Sequence, residues 1–500
     1  MSEHIRALVV LLFLLAVAWV ISRAFFLRTV EAKYIDKLFF AGSTATIALF
    51  LLQNIWICFL TIAIIAFVIA RQTQYALGLF VFLILLIPDF NINVPGFGLI
   101  NYLLTLNPLR VLAIILLIPL SFKCLRQREY PKPLTLASDK LVLLFAIYSA
   151  LLVYLHENTF TGLLRNFAES TLDFILLYFV ASRSMSNRDG IRHVVVAFIV
   201  AALFLSLVAI FEFLKHWLLY SGLNEAMGGL NAMFGYLGRG STLRASATTG
   251  QPIVLGYLIM LAFLLNFYTH RLLTSSLQRM TLWIVLGSGL IAAMSRGPWV
   301  GAVIGLFVIA LYSNRPVANI LKLAFGGLIG FGGLLLLPGG NQILDYLPWI
   351  GTIDASNVTY REVLWEQALI VIQDSFWIGA INFLESPHFD VVRQGSGFVD
   401  IVNSYLGLLL EKGVIGLSIY LILLLVALIP VYILIKKIKT ISYEYYLYAV
   451  GLLGAIAASM VTLSTVSNIG HVYPLSTLLL GAGVACAITI KNQSKGLSKI

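Results

Sequence analysis

AAMSRGPWVGAVIGLF, residues 292–307, sets one arginine in a run that otherwise reads as membrane-buried, with apolar chain behind Arg296 from Leu282 and ahead of it to Tyr312. Gly297 and Pro298 follow at once, a pair that breaks one helix and opens the next. The stretch reads as two spans joined by a turn, with the guanidinium at the membrane surface. A charge at the bilayer centre costs at least ~2.5–3.5 kcal/mol, whereas at a turn it reaches water or an anion. Arg296 is either an interfacial anchor or an anion ligand, and its neighbours decide between the two.

The rest of the chain implies the same solvent. Of 500 residues, 60% are hydrophobic and 11% charged, and the mean hydropathy is +0.96. A soluble chain carries about a quarter of charged residues. Apolar runs near the ~17–25 residues that a spanning helix needs, without the alternation of a membrane barrel, predict an all-α, polytopic transmembrane helical bundle of about 12–15 spans. Spans are expected near 6–22, 38–53, 54–70, 74–88, 109–122, 140–155, 169–182, 193–214, 252–269, 281–294, 298–313, 318–338, 414–435, 446–464 and 472–490. Ala7–Ile21 is followed by Ser22 and Arg23 rather than a small-x-small cleavage site, which reads as a retained helix. Residues 38–70 read as two short spans or one long tilted helix, and the choice sets the side of the N-terminus. Cys58, Cys124 and Cys486 form no metal or redox spacing. The chain divides into N-terminal helices over 1–240, a core over 241–435 that includes a long loop at 339–404, and C-terminal helices with a tail over 436–500.

Short loops rich in Lys and Arg stay on the cytoplasmic side. Arg71, Lys123 to Lys140, Arg183 to Arg192, Arg271 with Arg279, Arg315 with Lys322, Lys436 to Lys439 and the tail lysines 491, 495 and 499 all fall on one face. The opposite, extracytoplasmic face holds loops 89–108, 156–168, 216–251, 339–404 and 465–471. Apart from Lys215 and Lys412 near span ends, its basic residues are arginines: Arg165, Arg239, Arg244, Arg296, Arg361 and Arg393. Solubility alone accepts lysine equally well. What arginine adds is a planar fork that binds phosphate or carboxylate through two parallel hydrogen bonds. The net charge of +11 does not imply nucleic acid, because much of it lies in basic loops facing anionic lipid.

Four segments of that face read as parts of one site. TLRASATTGQPIVLGYL (242–258) places Arg244 ahead of a Gly/Pro-opened span; MSRGPWVG (294–301) supplies Arg296; YREVLWEQALIVIQDSFWIGA (360–380) is an amphipathic surface helix with Arg361 at its head and apolar Val363, Leu364, Ala368, Ile370 and Val371; IVNSYLGLLLEKGVIGL (401–417) leads into the next span. The glycine-rich GGLNAMFGYLGRGS (228–241) is a flexible connector with no strand–helix context for nucleotide binding.

In their order and placement these pieces resemble the O-antigen ligase and polymerase superfamily of bacterial membrane glycosyltransferases. The resemblance spans roughly 240–430 and rests on an Arg before a Gly/Pro-opened span, S-R-G between two spans, R-x-x-x-W-x-x-A heading the long loop and N-x-Y-L…E-x-G-x-x-G-L closing it. It implies a C-type glycosyltransferase fold in the bacterial inner membrane, acting on the extracytoplasmic face. The implied substrates are a glycan on undecaprenyl diphosphate and an acceptor glycan or lipid, beside membrane lipids and polysaccharide assembly proteins, with no metal and no cofactor. The family pattern maps onto Arg244, Arg296 and Arg361 as the phosphate-side cations. That fits the chemistry, since preorganised cations in a low-dielectric site stabilise the charge that develops on a departing diphosphate.

One departure matters. Where the ligase branch has a histidine that helps the acceptor hydroxyl attack, this chain has Val402. Candidate replacements are Asp400 and His388, or positioning suffices without a base. The departure favours a surface-polysaccharide polymerase over a ligase, with Arg165, Arg239 and Arg393 as further substrate cations. Asn403 and Tyr405 either orient an acceptor sugar or cap the following helix. A polysaccharide or lipid exporter is the competing class. It would carry ionisable residues near the midplane or broken helices in matching halves, yet the spans between 252 and 338 are nearly free of internal charge.

Overall fold

The computed structural model describes all residues except 1, 74, 99, 158, 230–233, 240–241, 336–354, 394–398 and 498–500. The first part of the chain forms α1 (Glu3–Phe26), α2 (Ala32–Leu52), α3 (Ile55–Ala70), α4 (Ala76–Leu86), the hairpin β1 (Ile92–Pro95) and β2 (Tyr102–Leu106), then α5 (Pro108–Leu112) and α6 (Ile118–Arg126) joined by a π-helical turn. Next come α7 (Ala137–Glu157), α8 (Phe160–Ser170) and α9 (Leu176–Ser184), again joined by a π turn, followed by α10 (Arg188–Lys215) and α11 (Ser221–Ala226). A two-residue hairpin, β3 (Gly238–Arg239) and β4 (Thr242–Leu243), precedes α12 (Pro252–Leu272), α13 (Ser276–Ala292), α14 (Arg296–Leu311), α15 (Pro316–Leu335), α16 (Ala355–Asp374), α17 (Ser404–Ile441), α18 (Tyr443–Thr462) and α19 (Val472–Leu497).

The protein is an all-α polytopic membrane bundle. Among the described residues nine helical segments are long and apolar enough to cross a membrane, and α3, α4, α14 and residues 316–329 are shorter apolar helices. The ambiguous segment 38–70 resolves into two helices. Gln53 adopts a left-handed conformation (φ 47°), and the Asn54 side chain caps α3 by accepting from the Trp56 and Ile57 N–H groups. The start of α1 then lies on the face where α10 ends, because Trp217 Nε1 donates to Glu3 Oε1 at 2.8 Å. Elsewhere the boundaries shift. The expected span at 74–88 contains only the eleven residues of α4, and the expected span at 169–182 is the second half of a bent run from Phe160 to Ser184.

A single apolar core runs from Ala7 to Ile490, with α10 and α12 at its centre. Close approach to α18 is what α14 requires: a Cβ on Gly297 would overlap Thr465 Oγ1, and one on Gly301 would overlap Thr462 Oγ1 and Met260 Sδ. Small residues at this spacing let backbones pack where no hydrophobic effect drives helices together. The rim of Arg296 is thereby pressed against the loop that follows α18.

A second, smaller core lies outside the bundle, where Leu364, Ala368, Val371 and Ile372 of α16 pack on Phe383, Phe389, Val392 and the start of α17. The buried face differs from the expected one at Ile370, which is exposed, as are Trp365 and Leu369. Gly413 (φ 62°) interrupts α17, freeing backbone groups that bond the end of the α16 unit: Val414 N donates to Phe376 O (2.9 Å) and Ala380 N to Leu410 O (2.8 Å). Gly379 (φ 69°) faces Gly413 so closely that a Cβ on either would overlap the other strand of backbone.

On the face rich in basic loops, charges are closed into pairs. Glu444 accepts from Arg188 Nε (2.7 Å), Arg192 Nε (2.6 Å) and Tyr268 Oη (2.8 Å), which ties α18 to α10 and α12. Asp139 and Arg183 form a buried pair at 2.6 Å.

Candidate functional site

Arg244 is aimed by a loop held from three directions. Ala245 N donates to Ala292 O (3.1 Å), the end of α13 and the start of the turn that carries Arg296. Thr248 Oγ1 donates to Leu85 O (2.7 Å) at the end of α4. Glu212, fully buried near the end of α10, accepts from the N–H groups of Leu219 (3.0 Å), Ser246 (3.0 Å) and Ala247 (2.9 Å). A buried carboxylate is tolerated only when its oxygens are bonded, and here two of the three donors come from the Arg244 loop itself.

Arg296 is the first residue of α14, behind Ser295 and a left-handed Met294 (φ 46°). The turn predicted at 295–297 is thus present, and Arg296 is half-buried at its tip. Arg361 lies in the first half of α16. Its neighbour Tyr360 clamps residue 400 through one hydroxyl, which donates to Asp400 O (3.1 Å) and accepts from Asp400 N (3.0 Å). The Asp400 carboxylate accepts from Ser467 Oγ at 2.6 Å. Four separate segments therefore meet at Asp400: α16, the end of the long loop, the loop after α18 and, through charge, the Arg244 loop.

The electrostatics show which charges share a field. Burial pushes the Asp400 carboxyl up from its ordinary value, while the Ser467 hydrogen bond and the positive charges of Arg361 and Arg244 pull it down. Arg361 is held below its ordinary value, first by desolvation of its guanidinium and then by the like charge of Arg296, with Asp400 opposing. Arg244, Arg296, Arg361 and Asp400 are thereby linked: Arg244 and Arg361 act on the acid, and Arg296 acts on Arg361. Among the described residues no group of three His, Cys, Asp or Glu side chains is placed to hold a metal.

The other sequence candidates are placed differently. Asn403 accepts from the Tyr405 and Leu406 N–H groups (3.0 and 3.2 Å) and so caps α17, and Tyr405 Oη donates to Met460 O (2.7 Å). Arg165 stacks on Tyr102 with its guanidinium 3.7 Å from the ring centre and donates to the Tyr102 carbonyl (2.8 Å), fixing α8 on the β1–β2 hairpin. Arg393 bonds Asp390 (3.1 Å) and Leu384 O (3.0 Å). His388 stands exposed on a 3-10 turn over Pro387–Val392, with no described bond to the four-residue unit. The side chain of Arg239, and much of the glycine-rich and long loops, lie outside the described residues.

Sequence reasoning missed Glu212, Tyr360 and Ser467. Glu212 carries a signal, an acid inside the apolar spanning helix Arg188–Lys215, and such a residue is a functional candidate by default. Tyr360 and Ser467 carry none, because their roles depend on contacts across 40 and 67 residues of chain.

Residues 280–421 match the family model described as O-antigen ligase. The match contains Arg296, Arg361 and Asp400 and supports assignment to the O-antigen ligase/polymerase superfamily. No match was found among curated proteins.

Proposed function

We propose that the protein is a surface-polysaccharide polymerase, transferring a glycan from undecaprenyl diphosphate to the hydroxyl of an acceptor sugar on the outer face of the cytoplasmic membrane. The observation that carries this reading is the shared field of Arg244, Arg296, Arg361 and Asp400, on the face opposite the basic loops. With two positive charges in excess among the four, the cluster is complementary to a diphosphate. The bond between the anomeric carbon and the diphosphate oxygen breaks, and its electron pair leaves on the diphosphate, where the guanidiniums stabilise it. The acceptor oxygen bonds to the anomeric carbon and its proton passes to Asp400, whose buried carboxylate is a stronger base than an exposed one. Asp400 then takes the place of the ligase histidine, whose position is occupied by Val402.

The test is elongation in liposomes containing the pure protein and a radiolabelled lipid-linked repeat unit. A ladder of longer lipid-linked products with release of undecaprenyl diphosphate is expected. No elongation, combined with transfer of a preformed chain to a lipid A-core acceptor, would replace polymerase by ligase, and neither reaction would sink the transferase reading.

A further inference from the structure

The face opposite the candidate site carries two adjoining cavities that the transfer reaction does not use. One, of about 200 Å³, is a groove between α3 and α6 with apolar walls from Phe67, Ala70, Ile115, Leu116 and Leu120. The π-helical turn at Ala113–Leu117, followed by Pro119, widens the helix on one side of it. Arg71 and Lys123 stand at its mouth. The other cavity, of about 230 Å³, shares Ala76, Leu120 and Lys123 with the groove and is walled by polar groups including Gln127, Tyr130, Ser184, Asn187 and Asp189.

The two rim cations differ from three arginines of this face that are closed into ion pairs. Arg188 and Arg192 are consumed by Glu444, and Arg183 by Asp139. Arg71 rests on the Phe67 ring with its guanidinium 4.3 Å from the centre, and neither it nor Lys123 has a carboxylate partner among the described residues. The groove is thus apolar along its length, cationic at the headgroup level and continuous with a chamber of hydroxyl and amide groups.

We propose that this is a binding site for an anionic phospholipid with a hydroxylated headgroup, of the phosphatidylglycerol type. One acyl chain lies in the α3/α6 groove, the phosphate sits between Arg71 and Lys123, and the glycerol hydroxyls enter the polar cavity. Asp189 sets the selectivity: with Arg71 and Lys123 it leaves one net positive charge, which matches a lipid of charge −1, and it accepts a hydroxyl while repelling a second phosphate.

Native mass spectrometry of the purified full-length protein, titrated with phosphatidylglycerol or with phosphatidylethanolamine of the same chains, tests this. The wild type should retain phosphatidylglycerol with roughly tenfold or greater preference, the effect expected of two cations near one anionic headgroup. Arg71→Gln/Lys123→Gln should abolish the preference. Ala70→Trp, which fills the groove and keeps both charges, should remove the bound lipid altogether, and this variant decides the matter should the double variant aggregate. Equal binding of the two lipids to the wild type, or unchanged phosphatidylglycerol binding in either variant, overturns the proposal.

Discussion

On the basic face two arginines and a tyrosine close on Glu444; on the opposite face Arg361 and Arg244 act on Asp400, and Arg296 acts on Arg361. Both clusters hold segments together across long stretches of chain. In the first, hydrogen bonds of 2.6 to 2.8 Å close on a nearly buried acid; in the second, the Arg244 loop is fixed through Glu212 and the Ala292 carbonyl. A closed pair stabilises a fold, whereas cations gathered at a membrane surface are also able to receive an anion.

Substitutions at the two clusters should therefore separate turnover from stability. The largest effect on turnover is expected for Asp400→Asn, a loss of about 10²–10⁴-fold as for a removed general base. Burial raises the folded-state value of this carboxyl, so its contribution to stability is present below the unfolded value and lost as pH rises through the folded one. Asp400→Asn should consequently leave the melting temperature at neutral pH unchanged or higher, measured by thermal unfolding in detergent. In the wild type the rate should fall on acidification at a pH above the ordinary carboxylate range, and that acid limb should vanish in the variant.

Next in size, Arg296→Ala and Arg244→Ala should each lower turnover about 10²–10³-fold, the loss typical of one donor to a developing oxyanion, with monodisperse, membrane-inserted protein retained. Lysine at either position should not restore the rate, since it lacks the two-pronged fork. Glu212→Gln should act less strongly and through position: three backbone donors lose a carboxylate, at a cost of about 1–3 kcal/mol in stability, and turnover falls because Arg244 is less well aimed. Glu444→Gln closes the series. It should lower thermal stability by a similar amount while leaving turnover per folded molecule unchanged, and a large loss of turnover there would erase the distinction between the clusters.

Much of this was legible from residue order. The turn at Arg296 follows from Gly297 and Pro298 between two apolar runs, and the gathering of most Lys and Arg residues in alternate loops marks two faces. The E-x-G of residues 411–413 was visible as a motif but not as a mechanism, which is the contact of two left-handed glycines 34 residues apart. Tyr405 and Asn403 were legible only as a choice between ligand and cap; the structure shows Asn403 accepting from the first N–H groups of α17 and Tyr405 bonded to Met460 O.

By itself the sequence determined the solvent and the helical class, because hydropathy acts locally and the bilayer imposes helix on any apolar run that crosses it. Tertiary packing alone decided that Arg165 lies on Tyr102 while Arg361 reaches the field of Asp400, that Glu212 holds the Arg244 loop, and that the start of α1 lies beside Trp217 at the end of α10. The physical reason is distance along the chain: a guanidinium carries no local mark of the partner that packing will set beside it.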